Sequence, residues 1–403
     1  MLKRRQILQY AGLLSTTTLL TWGFNGKRQN VTANPSQKNL MVIFLRGGID
    51  GLNVVVPYQE AAYYNARPTI AIPTPNQENG VLNLDGHFGL HPALSDLMPL
   101  WKQGSLAFIH ACGSPDPTRS HFDAQDYMEN GTPGIKKTDD GWMNRLLGSL
   151  PAQVPTKAVN LGSTTPKILK GRAAIASLPL GNKADQALKL ERLPIQQSFD
   201  LLYAGNDPLS IAYQQGRQAR EVLLQELSQE MVAASQGAPA TGVFAKNAPK
   251  IAQLLQGKTD TQLAFLDLGG WDTHVNQGGS QGSLARKLKD LGAGLAALVN
   301  GLGSAYSDTV IVVMSEFGRT LGENGNQGTD HGHGNVMWVL GGGIRGGKVY
   351  GDWPGLEDEQ RELDITTDFR DVLITLLQNH LQLGDNQLAQ IFPQYNPKSI
   401  LQI

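Results

Sequence analysis

The chain has 403 residues, and its 34 lysine and arginine residues nearly balance 35 aspartate and glutamate residues, for a formal net charge of −1. This balance argues against nucleic acid as a partner, because proteins that bind polyanions normally carry a basic excess. The single cysteine excludes a disulfide framework and any multi-cysteine metal site, so metal ligands must be sought among histidine, aspartate and glutamate.

The N-terminus has the pattern of an export signal. A basic cluster ending in the pair Arg4 and Arg5 precedes a modest apolar stretch over residues 11–22, which is too short and interrupted to span a bilayer. The arginine pair and the residues after it resemble the twin-arginine export signal. We therefore predict a signal peptide over 1–33, export by the twin-arginine machinery to the periplasm or the outside of the cell, and a mature domain over 34–403 that is not an integral membrane protein. The alternative is a basic amphipathic start of the domain itself.

Five continuous apolar runs predict buried strands, at residues 40–45, 106–112, 263–268, 310–314 and 336–340. Helical periodicity lies between or after them, over residues 210–234, 283–302 and 368–383. Strands that alternate with helices indicate parallel pairing and a layered α/β sheet, whose ligand site lies at the C-terminal ends of the strands. No linker divides the chain, so we predict one domain with loop insertions.

Acidic and imidazole side chains flank the ends of these predicted strands: Asp50, Asp272, His274, Glu316, His331 and His333. In an extended segment, residues two apart point the same way, and neighbouring glycines allow close approach. If the strands lie side by side, these groups converge on one edge. Carboxylate and imidazole together suit Zn, Mn or Fe, and a pair of such ions can clamp a displacement at phosphorus. We predict one or two divalent ions, with Ca as a further option.

Each of these groups also has a purely structural interpretation. Asp50 could form a turn, and Asp272 could cap one while His274 bonds a backbone carbonyl. Glu316 could pair with Arg319, and Asp330 could form a network with His331 and His333 that stabilises their loop. The functional hypothesis rests on the coincidence of four such segments at predicted strand ends.

A second cluster, SPDPTRSHFDAQDYMENG, follows the predicted strand at 106–112 and enters a predicted helix. A hydroxyl there would lie near a helix N-terminus, where anionic charge is favoured. Ser120 is the predicted nucleophile, with Ser114 and Thr118 as rivals, and Arg119 is a predicted clamp for a tetrahedral anion. The structural alternative is a helix N-cap at Ser120.

Seven segments together resemble the secreted bacterial family called domain of unknown function 1501: LMVIFLRGGIDGLN, HPALSDLMPLW, SPDPTRSHFDAQDYMENG, LGGWDTH, VVMSEFGRT, GTDHGHGNVMWVLGGGIRGGKVYG and TTDFRDVLITLL. The resemblance covers residues 38–150 and 260–383. That family is in turn similar to the alkaline phosphatase and sulfatase superfamily. The resemblance implies an alkaline-phosphatase-like fold, a mostly parallel sheet with helices on both faces, and usually two metal ions.

The resemblance also implies roles for individual residues. Asp50 matches the metal ligand after the first strand, and Asp272 and His274 match the ligands of one metal ion, which His331 or His333 would complete. Glu316 matches the first member of the superfamily's Asp-His ligand pair.

Two positions depart from the superfamily pattern. Phe317 stands where the second member of the ligand pair is expected and cannot bind a metal ion. The second metal site is therefore short of a ligand, borrows His121 or His331, or is absent. Pro115 stands where a sulfatase needs cysteine or serine, which disfavours a formylglycine sulfatase.

These observations predict a secreted metal-dependent hydrolase of phosphoester or related ester bonds, in a small-molecule or polymer substrate. Ser120 or water would attack, and Arg119, together with Arg46 or Arg319, would neutralise the anion. The alternative is a non-catalytic binding or cell-surface protein that keeps the fold with a degenerate metal site. A metal-free serine esterase is a third option.

Overall fold

The computed structural model describes residues 37–136, 138–151, 157–162, 164–178, 205, 207, 210, 235, 236, 238–256, 261–398 and 402–403. From residue 37 onward these belong to one compact unit. The predicted signal peptide and nearly all of the predicted helix at 210–234 lie outside the described residues. Within the described part of the chain, no helix is both long and apolar enough to cross a bilayer.

Twelve strands are present in the described residues: β1 (Asn39–Leu45), β2 (Val55–Val56), β3 (Leu82–Asn83), β4 (Gly89–Leu90), β5 (Leu106–Gly113), β6 (Ala158–Asn160), β7 (Ala176–Ser177), β8 (Leu263–Leu268), β9 (Thr309–Ser315), β10 (Asn335–Gly341), β11 (Lys348–Tyr350) and β12 (Thr367–Asp368). Nine of them form the central sheet, in the order β11-β5-β10-β9-β1-β8-β6-β7, with β12 also paired to β5. The other three form a small sheet in the order β2-β4-β3. All five predicted strands are confirmed.

The central sheet is mixed but mostly parallel, as predicted. Strand β1 pairs in parallel with β8 and β9, whereas β10 runs antiparallel to both β9 and β5. Leu45 lies opposite Leu268 on one side and Ser315 on the other, and Asn335 lies opposite Cys112. The C-terminal ends of β1, β5, β8 and β9 and the start of β10 therefore meet at one edge of the sheet.

The helices of the described residues are α1 (Gly51–Val54), α2 (Ala61–Ala66), α3 (Met98–Lys102), α4 (His121–Asn130), α5 (Trp142–Ser149), α6 (Thr241–Leu255), α7 (Ser283–Leu302), α8 (Phe369–Asn379) and α9 (Asp385–Ile391). Helix α7 has the predicted bounds. Helix α8 begins after Asp368, whose side chain accepts a hydrogen bond from the Arg370 backbone. It ends earlier than predicted, and Gln382 beyond it has a left-handed backbone with φ of 56°.

Both faces of the sheet are buried, which explains the continuous apolar runs. Alternate residues of β1 enter different cores: Ile43 packs with side chains of α6 and α7, and Phe44 packs with side chains of α5, α8 and α9. A strand covered on both sides needs apolar residues at every position. Full burial of each such side chain contributes about 1.5–3 kcal/mol, so both helical layers stabilise the sheet.

Candidate metal centre

Five segments reach the candidate site from the shared edge of the sheet. They are the loops after β1, β8 and β9, the first residue of α4 after β5, and the loop that enters β10. Residues before a strand fall at this edge only because β10 is antiparallel to its neighbours.

Two glycines after β1 let these loops approach one another. Gly47 and Gly48 have φ of 119° and 62°, a region that side chains rarely adopt. A Cβ atom on Gly47 would lie 2.5 Å from the Asp272 backbone nitrogen, and one on Gly48 would lie 2.6 Å from the Phe317 ring. The turn therefore requires glycine for both backbone conformation and space.

Three imidazoles and one carboxylate meet at the centre of the site. The Nε2 atom of His331 lies 2.9 Å from Nε2 of His121 and 2.9 Å from Nε2 of His274. Asp272 contacts all three: its Oδ2 is 3.4 Å from His121 Nε2, and its Oδ1 is 3.0 Å from His274 Nε2 and 3.4 Å from His331 Nε2. His121, Asp272 and His331 each offer a ligand atom, and these atoms lie within 4.8 Å of one another.

The opposite nitrogen of each ring contacts a group that can only accept a hydrogen bond. His121 Nδ1 is 2.8 Å from Glu316 Oε1, and His274 Nδ1 is 3.2 Å from Asp330 Oδ1. His331 Nδ1 is 2.9 Å from the Arg119 carbonyl oxygen. These acceptors require a proton on Nδ1 of each ring. Hydrogen bonds of this kind fix the tautomer and orientation of histidines that bind metal ions.

This arrangement demands positive charge where the Nε2 atoms meet. With Nδ1 protonated, each neutral imidazole points a lone pair from Nε2 at its neighbours, and lone pairs at 2.9 Å repel. Either additional protons or a metal cation removes this repulsion. The separations of 2.9–3.4 Å are close to the ~3.3 Å between neighbouring ligands of a tetrahedral zinc ion with bonds of 2.0–2.1 Å.

The acid–base properties of the rings follow from the same contacts. Burial alone would lower the pKa of His121, but its hydrogen bonds to Asp272 and Glu316 and their charges outweigh burial and raise it to about 9. The pKa of His274 is raised in the same way by Asp272 and Asp330. The neighbouring carboxylates thus favour the charged form of both rings over the neutral form.

His331 differs, because burial lowers its pKa and the nearby charge of Arg319 adds to this effect. Neutral His331 has a single lone pair on Nε2, which can accept a hydrogen bond from one of the two rings that flank it. A metal ion that binds these nitrogens must displace protons.

Asp272 is the central carboxylate of the site. It is fully buried, and its Oδ2 accepts no well-aligned hydrogen bond from the described residues. Arg319 lies 2.5 Å from Oδ1, and burial is outweighed by this positive charge, which holds the Asp272 pKa well below its usual range. An ionised carboxylate whose buried Oδ2 has no well-aligned donor among the described residues fits a metal ligand.

Arg319 holds the loops around the centre together through hydrogen bonds. Besides Asp272, its guanidinium donates to the carbonyl oxygens of Gly47, Gly48, Trp271 and Thr329. It is 1% exposed. These donors join the loops after β1 and β8 to the loop before β10, and the guanidinium is directed at protein acceptors.

Glu316 is buried and does not enter the group of ligand atoms. Its Oε1 accepts hydrogen bonds from the Gly47 backbone and the Gln125 side chain as well as contacting His121. Burial would raise its pKa, but the His121 contact outweighs burial and lowers it to about 2. The geometry makes Glu316 the residue that orients His121.

Two other predicted ligands lie apart from this cluster. Asp50 forms a two-point ion pair with Arg67, with nitrogen–oxygen distances of 2.7 and 3.0 Å, and also accepts from Gln277. His333 contacts the Asp116 carbonyl oxygen through Nε2, at 3.0 Å. His331 and His333 therefore have separate partners although they are two residues apart.

The predicted nucleophile lies beside the cluster in sequence. Ser120 is the exposed N-cap residue of α4, and its hydroxyl does not cap the helix. Arg119 is also exposed and forms an ion pair with Glu362. Phe317 packs against the rings of His121 and His331, with centroids 4.8 and 4.9 Å away, and forms an apolar wall.

Sequence reasoning gave His121 only a substitute role, and it treated Asp330 only as part of a structural loop network. The pattern HFDAQDYMENG looks like an ordinary helix start, and nothing in it marks His121 as central. The signal that was available is the position of His121 just after the C-terminal end of β5, the same edge that carries the other groups.

The protein has a mostly parallel α/β sheet that gathers three histidines and an aspartate at one edge. The chain belongs to the family described as protein of unknown function (DUF1501), whose sequence profile matches residues 37–390. The predicted family membership is confirmed. No curated protein sequence matches the chain significantly.

Solved structures similar to this chain include members of the alkaline phosphatase superfamily and sulfatases. A protein in that superfamily from Vibrio parahaemolyticus has a TM-score of 0.42 and 12% identity, covering 85% of this chain and 66% of that chain, just under two thirds. The C-terminal periplasmic domain of EcEptC from Escherichia coli, in complex with Zn, has a TM-score of 0.36 and 10% identity, covering 90% and 88%. PsFucS1 sulfatase from Pseudoalteromonas sp. has a TM-score of 0.37 and 14% identity, covering 87% and 70%. Similarity at this level does not establish a shared activity.

Proposed function

We propose that the protein is a metal-dependent hydrolase of phosphoester or related ester bonds. The observation that carries the proposal is the convergence of three imidazole Nε2 atoms on the buried carboxylate of Asp272, with each opposite nitrogen bound to an acceptor. His121, His331 and Asp272 would hold the ion, and His274 would complete the set. Nitrogen and carboxylate ligands favour a transition metal such as zinc.

A divalent ion at this position would polarise an ester oxygen and acidify a bound water molecule. Ser120 supplies a hydroxyl that does not cap the helix, at the N-terminus of α4, where the helix dipole favours anionic charge. Arg119 supplies an exposed guanidinium, and an anionic substrate would replace Glu362 as its partner. Phe317 shields one side of the cluster from water.

Elemental analysis of the purified protein tests the metal centre. We expect about one zinc-like ion per chain, retained after gel filtration. His331→Ala should remove most of the metal, whereas the matched variant His333→Ala, two residues away in the same loop, should keep it. Equal metal content in both variants, or a metal-free wild-type protein that is folded by circular dichroism, would refute the proposal.

Hydrolysis assays test the reaction. Aryl phosphate monoesters, diesters, sulfates and acetates should be compared with and without a chelator, and Ser120→Ala should lower kcat without removing metal. Turnover of an aryl acetate that survives chelation would favour the metal-free serine esterase. Stoichiometric metal with no turnover of any of these substrates would favour a binding or cell-surface protein with a degenerate site.

We also propose that the protein acts after twin-arginine export, in the periplasm or outside the cell. The support is the Arg4-Arg5 signal pattern and a candidate metal centre whose described ligands include no cysteine. Replacing both arginines by lysine should abolish export of the full chain, as measured by cell fractionation. Unchanged export of this variant would argue against the route.

A further inference from the structure

We infer that Gln277 is a positioning residue that sets the spacing of the two loops carrying the metal ligands, anchored on the buried ion pair of Asp50 and Arg67. This inference rests on the proposed metal centre. It assigns a role to three buried polar residues that lie outside the ligand cluster.

Gln277 joins the two loops through a single oxygen atom. Its Oε1 accepts a hydrogen bond of 2.7 Å from the Thr273 hydroxyl and one of 2.9 Å from the Thr329 hydroxyl. Thr273 lies between the ligands Asp272 and His274 in sequence. Thr329 precedes Asp330 and His331 in the other loop, and its backbone nitrogen also donates to the Thr273 carbonyl.

The other end of the Gln277 side chain is held firmly. Its Nε2 donates to Asp50 Oδ2 at 2.6 Å, and Asp50 is in turn clamped by Arg67 at 2.7 and 3.0 Å. Gln277, Asp50 and Arg67 are each fully buried. Since both Asp50 carboxylate oxygens accept hydrogen bonds from Arg67, the Gln277 amide nitrogen faces Asp50 and the amide oxygen must face the two threonines.

Gln277, Asp50 and Arg67 thus form a hydrogen-bonded frame. The Arg67 guanidinium extends this frame to the connection between β9 and β10. It donates to the carbonyl oxygens of Thr320 and Leu321, which follow Arg319 in the chain. The frame therefore contacts every loop that supplies His274, Asp272 or His331. Partners outside the ligand set typically change metal affinity by about 10–100-fold when they are removed.

Cobalt(II) binding tests the inference, because its visible absorption reports ligand geometry independently of activity. The main variant is Thr273→Val with Thr329→Val, which preserves side-chain shape and removes both hydroxyl donors. The second variant is Gln277→Leu. The matched control is Thr309→Val, which removes a buried hydroxyl that donates to the Ala305 carbonyl oxygen at the start of β9, the end opposite to the site.

We expect both test variants to bind cobalt(II) about 10–100-fold more weakly and with a shifted absorption band, and the control to match the wild type in both respects. Wild-type affinity and spectrum in either test variant that folds would overturn the inference. Equal weakening in the Thr309→Val control would also overturn it, because that result indicates general loss of rigidity. A wild-type protein that binds no cobalt(II) would instead refute the proposed metal centre.

Discussion

Replacing Asp50 should destabilise the protein without removing its metal. Asp50 and Arg67 are both fully buried, and the carboxylate accepts two guanidinium hydrogen bonds and one from Gln277. Asp50→Ala leaves the guanidinium buried without its counter-charge, a change that typically costs about 3–5 kcal/mol. The amide of Gln277 also loses its acceptor, a loss that typically costs about 1–3 kcal/mol on its own.

The assay is urea unfolding in the presence of a chelator, so that bound metal does not add to the measured free energy. Asp50→Ala should lower the free energy of unfolding by at least about 3 kcal/mol. At saturating zinc it should still carry the wild-type amount of metal, whereas Asp272→Ala should carry none.

The opposite result would refute the reasoning. If Asp50→Ala loses the metal while its unfolding free energy in chelator is unchanged, Asp50 is a metal ligand, as the resemblance to the superfamily implies. The ion pair with Arg67 would then belong to the metal-free protein alone.

Three further predictions concern pH, the orientation of His121 and the glycine turn. Zinc affinity should rise with pH up to about pH 9, because the pKa of His121 is raised and its proton must leave when zinc binds. Competition against a chromophoric chelator between pH 6 and 10 measures the affinity, and a flat profile would contradict this prediction. In the metal-free protein the contribution of charged His121 to stability is present below its unfolded pKa of about 6.5 and is lost as pH rises through about 9. Glu316→Gln should lower the His121 pKa, as measured by NMR titration of the metal-free protein, and weaken zinc binding by about 10–100-fold; an unchanged pKa would exclude Glu316 as the orienting group. Gly48→Ala should lower the free energy of unfolding by about 1–3 kcal/mol more than Gly86→Ala does, because both glycines have positive φ but only Gly48 faces the Phe317 ring. Equal urea midpoints for the two variants would show that the ring moves freely.

Local sequence patterns predict the strands of this protein well because burial leaves a direct trace in composition. A strand such as β1 packs against helices on both faces, so every position is apolar and the run from Leu40 to Leu45 stands out. The polar residues that follow such runs mark the edge where the site forms. Asp272 and His274, two residues apart after β8, do converge, as the geometry of an extended segment predicts.

The same argument is insufficient for the loop before β10. Pure parallel pairing would place residues before a strand at the opposite edge from residues after it. His331 reaches the cluster only because β10 runs antiparallel between β9 and β5. Strand direction depends on long-range packing and connections, which no local pattern records.

The sequence by itself determined the layered α/β class, the positions of the five strands, the glycines beside the polar residues and the edge that carries those residues. Tertiary structure decided which of those groups meet. His121 reaches the cluster from the start of α4, Asp50 forms an ion pair with Arg67, and His331 and His333 contact different partners. The physical reason is that burial acts residue by residue along the chain, whereas ligand convergence depends on strand direction, side-chain rotation and a distant counter-charge.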